Sequence, residues 1–361
     1  MSTRALVLST FVAGLAACRH DDASTGLHAD YHHSAELEPC AGNAAAVDAL
    51  VAHIAETIGL PLADVPHIRY SWLSEADYAR ESGCGAALSC GDGDDVYSVM
   101  PIAEQAIARA VLLVVNTRPS PFLAHGLSTA LGSIPLATSP DERDPRPYLS
   151  DFEQDRQATA NASAGAFVAW LLQVHGAERM RSLYRTIPYE STRADWEAAF
   201  AYIYGDSVDS LVAAYLAADT CPGDVPPRSD PACAGPRLEV ARGVMSFERV
   251  LACGDDDVVG GIDDETPAWI EAGWGYRVTR RFTVATAGDY AVTVDIPRTP
   301  SGYAGYATIR GCGGCSWLPE STPLVGQTSA IVRLAAGEHA LAIQAFGDEP
   351  PAVAVTIAPA P

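Results

Sequence analysis

The fold of the C-terminal third follows from one stretch, Phe282-Thr-Val-Ala-Thr-Ala-Gly-Asp-Tyr-Ala-Val-Thr-Val294. Apolar and polar residues alternate on either side of its Ala287-Gly288-Asp289 turn. Because successive side chains of a strand point to opposite faces, this alternation predicts two strands that each bury one face. The same pattern, interrupted by glycine-containing turns, continues to Ile357. We therefore expect residues 236–361 to form an all-β sandwich.

Upstream of this stretch the period of the hydrophobic pattern changes. Residues 223–235 are rich in proline and form a predicted linker. Within residues 38–222, apolar side chains recur at the spacing that predicts helices, and residues 67–72 and 95–99 are strand candidates. A chain of 361 residues suits two domains. The expected fold class is α+β, with a mainly helical domain that has a small N-terminal sheet, followed by the sandwich.

The N-terminus has the features of an export signal. The apolar run at residues 5–15 is shorter than the ~20 residues of a membrane-spanning helix. It ends in Leu15-Ala16-Ala17-Cys18, which is similar to a lipobox. We expect residues 1–17 to be a signal peptide, Cys18 to carry a lipid that anchors the chain to a membrane, and residues 18–37 to be a polar tether. The protein is then an exported lipoprotein of the cell envelope, periplasmic or on the outer surface.

The cysteine count supports export. Of nine cysteines, eight remain after Cys18, and an even number indicates disulfide bonds in an exported chain. These disulfide candidates are Cys40, Cys84, Cys90, Cys221, Cys233, Cys253, Cys312 and Cys315. Short loops favour the pairs Cys84–Cys90, Cys233–Cys253 and Cys312–Cys315, which leaves Cys40 for Cys221, although the sequence leaves the connectivity open. Zinc binding by these thiols is the alternative, but the sequence lacks paired CxxC motifs.

The overall charge excludes one class of partner. The formal net charge is −22 at pH 7, whereas binding to nucleic acid requires clustered cations that release counterions. We therefore expect no nucleic-acid partner. The sequence has no GxSxG, P-loop or GxGxxG motif. The acidic runs at residues 92–95 and 255–257 could bind Ca²⁺, although such runs are more often solvated turns.

Ordered segments between residues 65 and 218 carry a family resemblance. A loop between Cys84 and Cys90 precedes a predicted strand and helix, and the segments at residues 118–132, 164–171 and 204–211 follow. In these segments the first domain resembles the peptidase-MA-like branch of the gluzincins, which are zinc metallopeptidases of the thermolysin type. The predicted sandwich is similar to modules appended to secreted bacterial peptidases.

This resemblance implies where a zinc site would lie. An active gluzincin carries HExxH on one helix, where both histidines bind zinc and the glutamate takes a proton from the metal-bound water. A glutamate on the following helix is the third ligand. The corresponding residues here are Gln105-Ala106-Ile107-Ala108-Arg109 and His125. Ala106 then stands at the general-base position, and Gln105 and Arg109 stand at the histidine positions, so the cleft is expected to be vestigial.

Arg109 argues most strongly against a zinc site, because a guanidinium stays protonated at physiological pH and repels Zn²⁺. A register shifted by two residues places Glu104 at the base position but leaves Ala103 and Ile107 at the histidine positions. In a further alignment, His125-Gly-Leu-Ser-Thr129 is a decayed HExxH whose second histidine is a threonine. Each alignment predicts that zinc is lost, so we expect no metal and no other cofactor.

The sequence therefore predicts a catalytically inactive homologue of zinc metallopeptidases, with a binding or scaffolding role at the cell envelope. The ligand class expected at the vestigial cleft is a peptide or another anion, and a protein or a glycan is an alternative partner. Two other functions stay open. One is a hydrolase with a relocated metal that uses His125 and nearby carboxylates. The other is a purely structural surface protein that binds through its sandwich.

Overall fold

The computed structural model describes residues 24–85, 87–132, 143–149, 157–218, 231–241, 243–262, 275–299, 302, 304–315, 324–347 and 349–361. Two hydrophobic cores lie in this part of the chain, one in an N-terminal α+β domain and one in a C-terminal β domain. The α+β class is confirmed. The predicted signal peptide, Cys18, Cys221 and most of the predicted linker lie outside the described residues. Within the described ranges, no helix has the length and apolar character needed to cross a bilayer.

The first domain opens with a small mixed sheet. The strands of this domain are β1 (Ser24–Thr25), β2 (Ala29–His33), β3 (Glu38–Pro39), β4 (Ile68–Trp72), β5 (Ser89–Asp92) and β6 (Asp95–Ser98). All of them except β3 belong to this sheet. The sheet order is β1-β2-β4-β6-β5, and β2, β4 and β6 run parallel. The two strands predicted from sequence correspond to β4 and β6.

The predicted tether at residues 18–37 is wrong for its second half. Residues Ala29 and Tyr31 of β2 are buried, and β2 pairs along its whole length with β4. The Tyr31 hydroxyl donates a hydrogen bond to the carbonyl oxygen of Pro101 at 3.1 Å. The histidines and charges around these two residues made the segment look solvated, although they lie mostly on the outer positions of a half-buried strand.

Helices make up the rest of the first domain. They are α1 (Asn43–Thr57), α2 (Glu75–Glu81), α3 (Glu104–Leu112), α4 (Pro121–Leu131), α5 (Gln157–His175), α6 (Ala177–Thr186), α7 (Arg193–Tyr204) and α8 (Val208–Ala217). Local sequence explains several of their starts. Pro121 occupies the first turn of α4, where its missing N–H costs nothing. The Ser207 hydroxyl caps α8 by accepting from the Ser210 N–H at 3.1 Å.

Helices α4 and α5 pack closely because α4 carries Gly126. A Cβ atom at this position would lie 2.8 Å from Val168 Cγ2 and 2.9 Å from the carbonyl oxygen of Ala164, both on α5. The absence of a side chain therefore lets the backbones of α4 and α5 approach each other. This contact fixes the depth of α4 in the core and, with it, the position of the neighbouring residue His125.

The second domain is a β-sandwich. The strands of this domain are β7 (Glu239–Ala241), β8 (Val244–Val250), β9 (Gly261–Ile262), β10 (Tyr276–Val284), β11 (Gly288–Asp295), β12 (Tyr306–Gly311), β13 (Leu324–Val325), β14 (Thr328–Leu334), β15 (Gly337–Ala345) and β16 (Ala352–Pro359). All of them except β9 belong to the two sheets of the sandwich. One sheet has the order β10-β15-β12-β13 and the other β14-β11-β16-β8-β7. The turn predicted at residues 287–289 joins β10 to β11, which lie in different sheets. The chain therefore crosses the sandwich at this point.

The two domains are joined by more than the linker. Strand β3 of the first domain pairs with β9 of the second, and a disulfide links Cys40 to Cys253. The buried Asn43 amide donates to the Gly260 carbonyl oxygen at 2.7 Å and accepts from the Gly260 N–H at 2.8 Å. Gly261 lies against the Trp72 ring, where a Cβ atom would overlap the indole.

The disulfide pairs differ from most of those that short loops favoured. The Cys84–Cys90 pair is confirmed. The expected Cys233–Cys253, Cys312–Cys315 and Cys40–Cys221 pairs are wrong, because Cys40 pairs with Cys253 and Cys233 with Cys312. Cys315 is also disulfide-bonded. Loop closure favours neighbours in sequence, but the β3–β9 contact brings Cys40 beside Cys253, where the Ala41 N–H donates to the Cys253 carbonyl at 2.7 Å.

Candidate functional site

The residues predicted for the vestigial cleft meet between α3 and α4. Arg109 Nη2 donates to His125 Nδ1 at 2.6 Å, and Gln105 Nε2 donates to Thr129 Oγ1 at 3.2 Å. Residues four apart share one face of a helix, so two such pairs face each other across the helix contact. Ala106 is 4% exposed and packs in the core beside them. The structure therefore brings Gln105, Arg109 and His125 together, with Thr129 as the fourth polar residue.

Burial sets the charge state of this cluster. It lowers the pKa of His125 from 6.5 to about 4, and the Arg109 cation lowers it further in the same direction. The imidazole is therefore neutral at pH 7. Because Nδ1 accepts from Arg109, the ring proton is on Nε2. Burial also lowers the pKa of Arg109 and raises the pKa of Tyr184 on α6, which the Arg109 cation opposes.

Arg109 is a half-buried cation without a carboxylate partner among the described residues. Its Nε atom is buried and has no hydrogen-bond partner there. A buried charge is stable only when it is paired or fully hydrogen-bonded, and a neutral imidazole supplies one acceptor only. The cluster therefore has donor capacity that an anionic group would satisfy.

The donor set does not fit a zinc ion. Zinc in proteins is held by thiolates, neutral imidazoles and carboxylates, and here one imidazole faces an amide, a hydroxyl and a guanidinium. The shifted register does not help, since Glu104 Oε1 pairs with Arg277 Nη1 of the second domain at 2.9 Å. Across the described ranges, no three His, Cys, Asp or Glu side chains are grouped so that they could hold a metal ion.

The two acidic runs considered for Ca²⁺ contain carboxylates that arginines contact. Arg69 pairs with Asp95 at 2.6 Å and also contacts Asp94. Arg249 and Arg280 pair with Asp257 at 2.8 and 2.6 Å. Calcium binding at either run, the alternative to solvated turns, would compete with these ion pairs.

Sequence reasoning missed a second group of polar residues, which lines a cavity of about 240 Å³ between the domains. The first domain contributes Glu104 and one face of α1, and the second contributes Arg277, Thr308 and Gln344. The signal was present in part: Tyr306, Thr308 and Arg310 alternate with apolar residues along β12. The docking of the two domains decides what covers the outward face of β12. A periodic pattern in the sequence does not show how domains dock.

Comparisons with known proteins contribute little to these assignments. No protein-family model matches the sequence, and no curated protein matches it either. A solved structure with some likeness is the pre-peptidase C-terminal domain of a collagenase from Bacillus anthracis, which is 12% identical, covers 32% of this chain and 86% of that chain, and has a TM-score of 0.19. Another is a family 35 carbohydrate-binding module from Clostridium thermocellum, with 14% identity, coverage of 34% and 97%, and a TM-score of 0.19.

TM-scores of this size carry no argument about fold or function. The sandwich is established by its own strands and their pairing. The resemblance of the first domain to gluzincins stays a prediction.

Proposed function

We propose that this protein is a non-catalytic relative of zinc metallopeptidases that acts by binding, held at the cell envelope by a lipid on Cys18. The observation that carries the proposal is the hydrogen bond between Arg109 and His125. Arg109 and His125, both at predicted ligand positions, contact each other across α3 and α4, and the set as a whole does not suit zinc because a guanidinium and an amide stand beside its one imidazole. The general-base position is an alanine, so the site lacks the group that would activate water.

The same cluster supports a choice of ligand. A guanidinium presents its donors in a fork that matches a carboxylate, and Arg109 has no carboxylate partner among the described residues. The neutral His125 brings no negative charge that would repel an anion at Arg109 or replace it. The ligand class we propose is a peptide that places a carboxylate, at its C-terminus or on a side chain, against Arg109.

The test of the non-catalytic role uses the purified chain equilibrated with excess zinc and then desalted. We expect substoichiometric zinc by elemental analysis and no hydrolysis of casein. An equimolar zinc content together with casein hydrolysis would refute the proposal.

The test of binding compares trialanine with trialanine amide by calorimetry, since the two differ only in the terminal carboxylate. We expect the free acid to bind and the amide to bind at least about tenfold more weakly, which is about 1.4 kcal/mol. Arg109→Met should abolish this difference. The matched control is Arg185→Met, because Arg185 is an exposed arginine next to Tyr184 on α6. Equal binding of acid and amide by the wild type, or undiminished binding by Arg109→Met, would contradict the assigned ligand class.

A further inference from the structure

The cavity between the domains has a floor made by the outer face of one sheet of the sandwich. Strand β15 lies in the middle of this face, with β10 on one side and β12 on the other. Pairing aligns the outward side chains in two rows, Arg277–Gln344–Tyr306 and Thr279–Ala342–Thr308. Because Ala342 is the small central residue of the second row, the cavity extends down to the sheet between two threonine hydroxyls.

These two hydroxyls are available to a ligand. Thr308 is only 4% exposed, yet neither its hydroxyl nor that of Thr279 has a hydrogen-bond partner among the described residues. Both residues line the cavity, so their hydroxyls can be reached from it. Each can both donate and accept, so each suits a ligand hydroxyl, which has the same dual capacity.

The charges around the cavity cancel. Two arginines, Arg277 and Arg310, and two carboxylates, Glu104 and Asp257, line it. Arg277 pairs with Glu104 at 2.9 Å across the domain boundary, and Asp257 pairs with Arg280 at 2.6 Å. Because both carboxylates are already in ion pairs, and Asp257 also pairs with Arg249 at 2.8 Å, a cation would have to displace an arginine, while the lining residues carry no net formal charge to attract an anion. The occupant that it favours is neutral and polar.

The side of the cavity opposite the sheet is apolar. It is formed by Ala46, Ala49 and Leu50 of α1 and by Ile102, which precedes α3. A ligand that fills the cavity therefore needs one apolar face and a rim of hydroxyls. Its volume of about 240 Å³ lies below the roughly 300–1,000 Å³ of pockets for drug-sized ligands, which limits the occupant to about one ring.

We propose that this cavity binds one neutral sugar ring of monosaccharide size, alone or as one unit of a glycan. The C–H face of the ring lies against α1. Its hydroxyls contact Thr279 and Thr308 on the sheet, and the Glu104–Arg277 pair and the Gln344 amide bind neighbouring hydroxyls. Because these contacts come from both domains, the bound ring bridges them. The cavity is separate from the Arg109–His125 cluster, and this proposal does not depend on the function assigned to that cluster.

The experiment measures binding of glucose, galactose, mannose and N-acetylglucosamine to the full chain, by saturation-transfer NMR and calorimetry. We expect saturable binding of at least one of them. Thr308→Val, which removes one hydroxyl, and Ala342→Leu, which fills the space above the floor, should each weaken that binding at least about tenfold. Thermal unfolding shows whether each variant is folded. If Ala342→Leu does not fold, Thr308→Val alone still tests the proposal.

Matched controls lie on the other sheet, where Ala291 faces outward on β11 and Thr356 is exposed on β16. Ala291→Leu and Thr356→Val should bind the sugar as the wild type does. The proposal fails if none of the four sugars shows saturable binding. It also fails if Thr308→Val and a folded Ala342→Leu bind like the wild type, or if acetate or phosphate competes with the sugar for the cavity.

Discussion

The helix cluster and the interdomain cavity differ in how the chain builds them. At the cluster, Arg109 and His125 are 16 residues apart and lie on consecutive helices of one domain. At the cavity, Glu104 and Arg277 are 173 residues apart and belong to different domains. Neighbouring positions of α3 thus serve both, since Gln105 faces α4 while Glu104 faces the sandwich. A local cluster depends on the packing within its own domain, whereas the cavity depends on how the domains dock.

Replacing Asn43, which lies at the domain junction on which the cavity depends, should have the largest effect on stability. Its buried side chain makes two hydrogen bonds to Gly260 and one to the Tyr31 hydroxyl at 3.0 Å. Asn43→Ala leaves these groups unsatisfied at the domain junction, and we expect a loss of about 3 kcal/mol in the free energy of unfolding. Urea denaturation measures it, and Gln327→Ala on the exposed surface is the control. A loss below about 0.5 kcal/mol would show that the junction contributes little.

Replacing Gly126 should disturb the helix cluster, because this residue lies on α4 next to His125. A methyl group at this position meets Val168 and the Ala164 backbone, so Gly126→Ala should push α4 away from α5 and cost about 2 kcal/mol. Sugar binding at the cavity should be retained. The matched control is Gly288→Ala, since a Cβ atom at Gly288 has no atom within 4 Å. Equal stability of the two variants, measured by urea denaturation, would contradict the close packing of α4.

His125 should give the smallest effect, which depends on pH. Its pKa in the folded protein, about 4, lies below the 6.5 of an unfolded histidine, so the unfolded chain binds more protons between these values. Stability from His125 is therefore present above pH 6.5 and is lost as the pH falls towards 4. We expect a loss of about 1 kcal/mol from about pH 7 to about pH 5.8. His125→Gln keeps an acceptor for Arg109 but does not titrate, and should reduce this slope. An unchanged slope would mean that His125 is not buried beside the cation.

Sequence predicted features whose causes are local. The alternation around Gly288 gave the strands of the sandwich, and the aligned segments placed Gln105, Arg109 and His125 on facing helices. Where the cause was tertiary, prediction failed. Residues 29–33 contain three polar side chains in five, and only the pairing of β2 with β4 shows that they form a strand. Cys40 forms a disulfide with Cys253 because β3 pairs with β9 of the second domain. The sequence carries no periodic signal for this contact.

The origin of the helix cluster can be tested by restoring the expected ligands. The variant combines Gln105→His, Ala106→Glu, Arg109→His and His125→Glu, which places two imidazoles and one carboxylate at the expected ligand positions of α3 and α4 and a second carboxylate at the general-base position. Zinc titration by calorimetry is compared for this variant and the wild type, with folding checked by circular dichroism. If α3 and α4 are the former zinc-binding pair, the folded variant binds one zinc ion per chain and the wild type binds none. Equimolar zinc on the wild type, or no zinc on the folded variant, would contradict that origin.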